Sequence, residues 1–116
     1  MPSTARALRL GERIRTELAG ILLRESSDPR FAMITVTEVR VDREFSTANV
    51  FVSAVGCDEA RRAEILQGLE GAKGFLRSAL ASRIALRTFP ALRFHWDVIP
   101  DRAEHIESLI DKLTGK

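Results

Sequence analysis

Apolar positions recur at helical spacing from Thr4 to about Glu25. Leu8, Ile14, Leu18, Ile21 and Leu22 mark one face, while Arg6, Arg9, Arg13, Arg15 and Glu17 fill much of the rest. Ser3 precedes this run as a candidate N-cap, and Gly11 and Gly20 weaken it. Ser26-Ser27-Asp28-Pro29 ends it, because the residue before a proline is pushed out of the helical region. The period then changes to two. Met33 to Val41 predicts a strand with Thr35, Thr37, Val39 and Val41 on one face and Ile34, Val36, Glu38 and Arg40 on the other. Thr47 to Val55, rich in β-branched residues, predicts a second, and Asp42 to Ser46 suits a hairpin between them. Asp58 caps a helix reaching about Glu70 on an Ile65, Leu66 and Leu69 stripe. After the break Gly71-Ala72-Lys73-Gly74, a helix over 75–86 turns Phe75, Leu76, Ala79 and Leu80 inward. Leu92, Phe94, Trp96 and Val98 alternate with Arg93, His95 and Asp97 in a third strand. Pro100-Asp101 opens a last helix with Ile106, Leu109, Ile110 and Leu113 on its buried face.

The predicted order is helix, strand, strand, helix, break, helix, strand, with a C-terminal helix added. Three strands with helices on one face make a small α+β sandwich. A chain of 116 residues, 45% of them hydrophobic, is expected to form one domain around one core. Cys57 is the only cysteine, which excludes an internal disulfide and a cysteine-based zinc site. Ile21-Leu22-Leu23 is too short to span a membrane and the N-terminus lacks the apolar run of a signal peptide, so a cytoplasmic location is expected.

Charge changes the picture by its distribution. The net charge is only +2, but no acid lies between Gly71 and Trp96, a stretch that carries Lys73, Arg77, Arg83, Arg87 and Arg93. Fifteen of the eighteen cations are arginine, the side chain suited to bidentate phosphate contact, although a GC-rich genome gives the same bias. A glycine-bounded break beside uncompensated positive charge is a workable cradle for a phosphodiester chain. Taken alone the tetrapeptide also fits an ordinary turn between core helices. Lys73 and Arg77, four apart, share a helical face, whereas Arg83 lies nearer the apolar arc. Arg6, Arg9 and Arg13 extend the patch if their helix packs beside the break, and otherwise form a solvated face.

Catalytic chemistry has little support. His95 and His105 fall on different predicted elements, no Cys or carboxylate pattern stands at metal-ligand spacing, and no nucleotide-phosphate loop appears. No enzyme activity, metal or cofactor is expected. Phe75, Phe89, Phe94 and Trp96 could stack on bases, but six Phe and one Trp are needed first for the core.

Several motifs together carry a more specific signal. Ile34-Thr35-Val36-Thr37-Glu38-Val39-Arg40-Val41 is followed by Ala48-Asn49-Val50-Phe51-Val52-Ser53, then by Ala72-Lys73-Gly74-Phe75-Leu76-Arg77, Leu86-Arg87 and Pro90-Ala91-Leu92-Arg93-Phe94. In this order, from about Arg6 to Leu113, the chain resembles the bacterial ribosome-binding factor A family. The resemblance implies a type II KH-like fold in which an Ala-x-Gly helix kink, here at Ala72 and Gly74, replaces the usual G-x-x-G loop, leaving Gly71 incidental. It also implies a non-enzymatic assembly factor that binds the free 30S small ribosomal subunit, supports late 16S rRNA maturation and 5′-end processing, and is linked to growth in the cold. A maturation GTPase and initiation factors are implied as partners, and the protein is expected to be a monomer. The RNA surface expected here comprises Lys73, Arg77, Arg83 and Arg87, widened by Arg6, Arg9 and Arg13. A generic KH-type single-stranded RNA binder and a protein–protein interaction module remain as alternatives.

Overall fold

The computed structural model describes residues 4–25 and 28–98, so the expected C-terminal helix and the Ser3 cap lie outside the described residues. Helix α1 spans Ala5–Arg24, with Thr4 as its cap: the Thr4 hydroxyl accepts from the Ala7 N–H at 3.1 Å. Strand β1 covers Thr35–Val41 and β2 Thr47–Ser53. Helices α2 (Glu59–Gly71) and α3 (Lys73–Arg83) follow, then strand β3 (Ala91–Trp96). The sheet order is β1-β2-β3, with β1 antiparallel and β3 parallel to β2. A parallel pair cannot close through a tight turn, so α2 and α3 serve as the crossover.

All three helices bury their apolar stripes on one face of the sheet. Ile14, Leu18, Ile21, Leu69, Leu76 and Leu80 meet Val50, Val52 and Leu92 in the core. Each such side chain contributes about 1.5–3 kcal/mol of burial. At Gly11 the contact is between backbones: a Cβ there would stand 2.5 Å from the Val39 carbonyl oxygen, so α1 lies directly on β1.

Several sequence expectations change. Met33 belongs to a five-residue 3-10 helix, Pro29–Met33, capped by Asp28, and is exposed. Strict alternation puts Val36 opposite Val39 and Val41, yet all three are buried together. The reason is a β-bulge: the β1–β2 register shifts between Val36 and Glu38, and the extra residue changes the phase. The Thr37 hydroxyl, within 3.2 Å of the Phe51 carbonyl, bonds the Asp97 carboxylate, whose N–H donates to Val52 O at 2.7 Å. Asp97 is therefore buried, where alternation placed it outside, and β3 stops at Trp96 with Val98 exposed. Leu8, expected on the buried face of α1, is exposed, and Ala7 and Leu10 take its place. Phe75, expected inward, is 51% exposed, because α3 begins at Lys73 and turns Leu76 and Leu80 to the core.

The hairpin falls where expected and is held by one carboxylate. Asp42 accepts from the Ser46 N–H at 2.7 Å, the Thr47 N–H at 2.9 Å and the Ser46 hydroxyl. These bonds let Phe45 sit at φ 60°, a strained region for an aromatic residue. The Ser46 hydroxyl, then the Thr47 N–H, hold the Asp42 carboxyl below the usual carboxylate range. A depressed folded-state pKa adds stability that is present above the unfolded pKa and lost as pH falls through the folded one. Urea midpoints read by circular dichroism between about pH 5 and pH 2 should therefore fall less steeply for Asp42→Asn than for wild type. Parallel slopes would remove Asp42 from the acid response.

Candidate nucleic-acid interface

The break between α2 and α3 is a single residue. Ala72 adopts φ −94° and ψ 2°, its N–H reaches Gly68 O at 3.0 Å and Leu69 O at 3.2 Å, and its carbonyl accepts from Leu76 N at 2.9 Å. The chain thus bends without opening a loop. Leu69 and Leu76, both fully buried, pin the helices to the core on either side. Gly71 falls inside α2 and Gly74 inside the first turn of α3. Neither glycine has a positive φ, and a Cβ on either would meet nothing within 4 Å. The bend needs no special backbone conformation from them. What they leave is an outer corner of bare backbone.

The chemistry at this corner suits an anion. No side chain caps α3, so its first turn presents the positive end of the helix dipole. Lys73 stands there, half-buried, with its ammonium 2.7 Å from Glu70. A solvent-accessible surface pair of this kind is worth about 0–1 kcal/mol, so a phosphate can displace the carboxylate at little cost. Phe75 projects outward beside it, at the rim of a groove of about 370 Å³ that also includes Glu25, Asp28, Phe31, Gly68, Gly71 and Ala72. The acids of that rim are neutralised: Asp28 pairs with Arg30 at 2.6 Å, and Glu25 binds Arg83.

The other expected cations do not all gather at this corner. Arg77 donates to Phe89 O at 2.6 Å and Pro90 O at 3.3 Å, tying α3 to the loop before β3. Arg83 folds back to Ala79 O at 2.9 Å, binds Glu25 and approaches Glu17 at 3.8 Å. Its carbonyl accepts from Arg13 at 3.1 Å, and Arg13 in turn lies 3.6 Å from Glu17. Arg13 and Arg83 are therefore brought together, but in a compensated seam between α1 and α3. Arg6 lies over the Phe45 ring at 5.5 Å. Arg9 and Arg87 are exposed and pair with no described residue. Among the expected stacking aromatics, Phe89 and Phe94 are core residues, Trp96 is partly buried under Arg62, and only Phe75 is open.

Local sequence gives no sign of one further cluster. Parallel pairing of β2 and β3 sets Asn49 opposite Arg93 and Phe51 opposite His95, on the sheet face opposite α1, α2 and α3. Strand alternation marks these residues as outward, but only the pairing register brings them together. Among the described residues no group of three or more His, Cys, Asp or Glu could hold a metal ion, and no helix is long and apolar enough to cross a membrane.

Residues 6–110 match the family model of ribosome-binding factor A. The chain is 42% identical over 108 residues to ribosome-binding factor A of Chromohalobacter salexigens, covering 92% of this chain and 82% of that protein. With that of Nitrosomonas eutropha it shares 42% over 113 residues, covering 97% and 95%. The crystal structure of ribosome-binding factor A from Thermus thermophilus superposes with a TM-score of 0.67 at 30% identity, over 78% of this chain and 93% of that one. A homology model of the Thermus thermophilus factor, fitted into a cryo-electron microscopy map of a 30S complex, gives 0.62 at 30% identity, over 75% and 90%.

Proposed function

This chain belongs to the ribosome-binding factor A family, and from that premise we propose that it binds the free 30S small ribosomal subunit through the corner at Ala72. It acts there as a non-enzymatic, cytoplasmic assembly factor and a single RNA-binding domain. The observation that carries this reading is the bare backbone of Gly71–Gly74 beside Lys73, the uncapped start of α3 and the exposed ring of Phe75. The similar Thermus thermophilus factor, fitted into a map of a 30S complex, supports the choice of partner.

A phosphate approaching the corner takes Lys73 from Glu70 and lies along the dipole of α3. Without side-chain bulk at Gly71 and Gly74 the phosphodiester chain can come against the helix itself. Arg9 and Arg87 add charge without breaking any pair among the described residues. Such contacts position RNA without reading its sequence, so recognition rests on rRNA shape. Held in this way, immature 16S rRNA keeps an arrangement that late maturation and 5′-end processing by other enzymes act upon.

Co-sedimentation with purified 30S subunits across a salt series tests the reading. About three phosphate contacts give a log–log slope near −2. An affinity that stays flat with salt, or absence of the protein from the 30S peak, overturns it.

A further inference from the structure

We propose that the face of the sheet opposite α1, α2 and α3 is a second nucleic-acid surface, on which an unpaired base stacks against the Phe51–His95 pair. This goes beyond binding at the Ala72 corner and does not require it, because the two surfaces lie on different elements.

The face is built in rungs by strand pairing. One rung runs Arg40, Asn49, Arg93, and the next runs Glu38, Phe51, His95. The Phe51 and His95 rings are stacked, with centroids 5.1 Å apart and planes inclined by 27°. The Arg40 guanidinium lies over Phe51 at 5.3 Å, and Asn49 Oδ1 fixes His95 Nε2 at 2.8 Å. Two adjoining rings and a guanidinium thus form one continuous π-rich strip, held in orientation before any ligand arrives. The bulge at Thr37, tied down by the buried Asp97, lets Val36 face the core without moving Glu38 off this face.

Three features select single-stranded nucleic acid as the occupant. Every base has a π-face that stacks on aromatic rings whatever its sequence, whereas duplex bases are already stacked on each other. The charge is complementary: Arg40 neutralises the acid Glu38 at 2.7 Å, which leaves the positive charge of Arg93 in the neighbouring rung uncompensated. Arg93 is exposed and pairs with no described residue, so a phosphate gains its charge without breaking an internal bond. Side chains two apart on a strand stand about 6.6 Å from each other. A base over His95 therefore leaves its phosphate within reach of Arg93, one rung away.

None of these residues is needed by the core, which lies on the opposite face with Val50, Val52, Leu92 and Phe94. The face can therefore be altered while the fold is kept. The test is fluorescence anisotropy with an end-labelled, eight-nucleotide single-stranded RNA, with the same sequence as a duplex for comparison. Wild type should bind the single strand in preference, and amide shifts should appear at Arg40, Asn49, Phe51, Arg93 and His95. The double variant Phe51→Leu, His95→Ala should bind about tenfold more weakly, the loss of roughly one stacked base. His95→Phe, which keeps a ring, should restore binding, and Lys73→Glu should leave these sheet shifts in place. Unchanged affinity in the double variant, equal affinity for the duplex, or shifts confined to α2 and α3 would each overturn the proposal. So would concentration-dependent self-association that the double variant abolishes, since the face would then belong to a second copy of the chain.

Discussion

Replacing Gly11 with alanine should destabilise the protein by about 2 kcal/mol, although alanine is the better helix former by about 1 kcal/mol. The two effects oppose each other and geometry decides between them. A Cβ at this position would stand 2.5 Å from Val39 O, a backbone atom of a paired strand that cannot rotate away. Either α1 lifts off β1, loosening Ala7, Leu10 and Ile14, or β1 shifts and strains the adjoining bulge. Thermal unfolding should show a midpoint lower by about 10 °C for a domain of this size. Gly20→Ala is the internal control. Its nearest neighbour is the mobile end of Arg24 at 3.7 Å, an ordinary contact, so the variant should gain about 0.5–1 kcal/mol. Gly11→Ala as stable as wild type would mean that α1 and β1 are not held at this distance.

Charge reversal at the Ala72 corner should abolish 30S binding while leaving the fold intact. Lys73→Glu with Gly74→Glu removes one charge-assisted contact and turns another into repulsion. At about 1.5–3 kcal/mol for each, affinity should fall by about two to four orders of magnitude. The fold has little reason to object, since a side chain at Gly74 meets open space. Carboxylates in the first turn also favour the dipole of α3 by about 0.3–1 kcal/mol. Gly74→Ala separates close approach from charge: it should unfold no earlier than wild type yet bind less well. Arg77 is the wrong residue for this test, because its guanidinium holds the carbonyls of Phe89 and Pro90. A charge-reversed variant that folds normally and still travels with 30S subunits sinks the assignment.

The order of elements was legible in the sequence because each element carries its own period. Asp58, Asp42 and the Gly71–Gly74 break also act within a few residues of themselves. What local pattern could not show depends on contacts distant in the chain. The phase of β1 follows from a bulge that Asp97, sixty residues away, helps to hold. The seven cations expected on one RNA surface separate for the same reason. Arg83 finds Glu25 and Glu17, Arg13 finds the carbonyl of Arg83, and Arg77 finds a loop. Sequence reports that a side chain is charged, and only packing reports that its charge is already spent. Arg6, Arg9 and Arg87 have no carboxylate partner among the described residues, and Lys73 gives up only its weak pair with Glu70, so these four can offer charge to an outside anion cheaply. The pairing of Phe51 with His95 was hidden likewise, since it needs the register of two strands separated by both crossover helices.

That crossover also sets an order in time. While the chain is being synthesised, β2 can pair with β1 at once through the hairpin at Asp42. Its other edge has no partner until residues 54–90 have been made and β3 follows. At cellular elongation rates of about 5–20 residues per second this interval lasts roughly two to seven seconds. During it Val50, Val52 and Phe51 belong to an open, β-prone edge, the kind that joins neighbouring chains. Nascent copies crowded on one messenger are thus exposed to mispairing until the last strand closes the sheet.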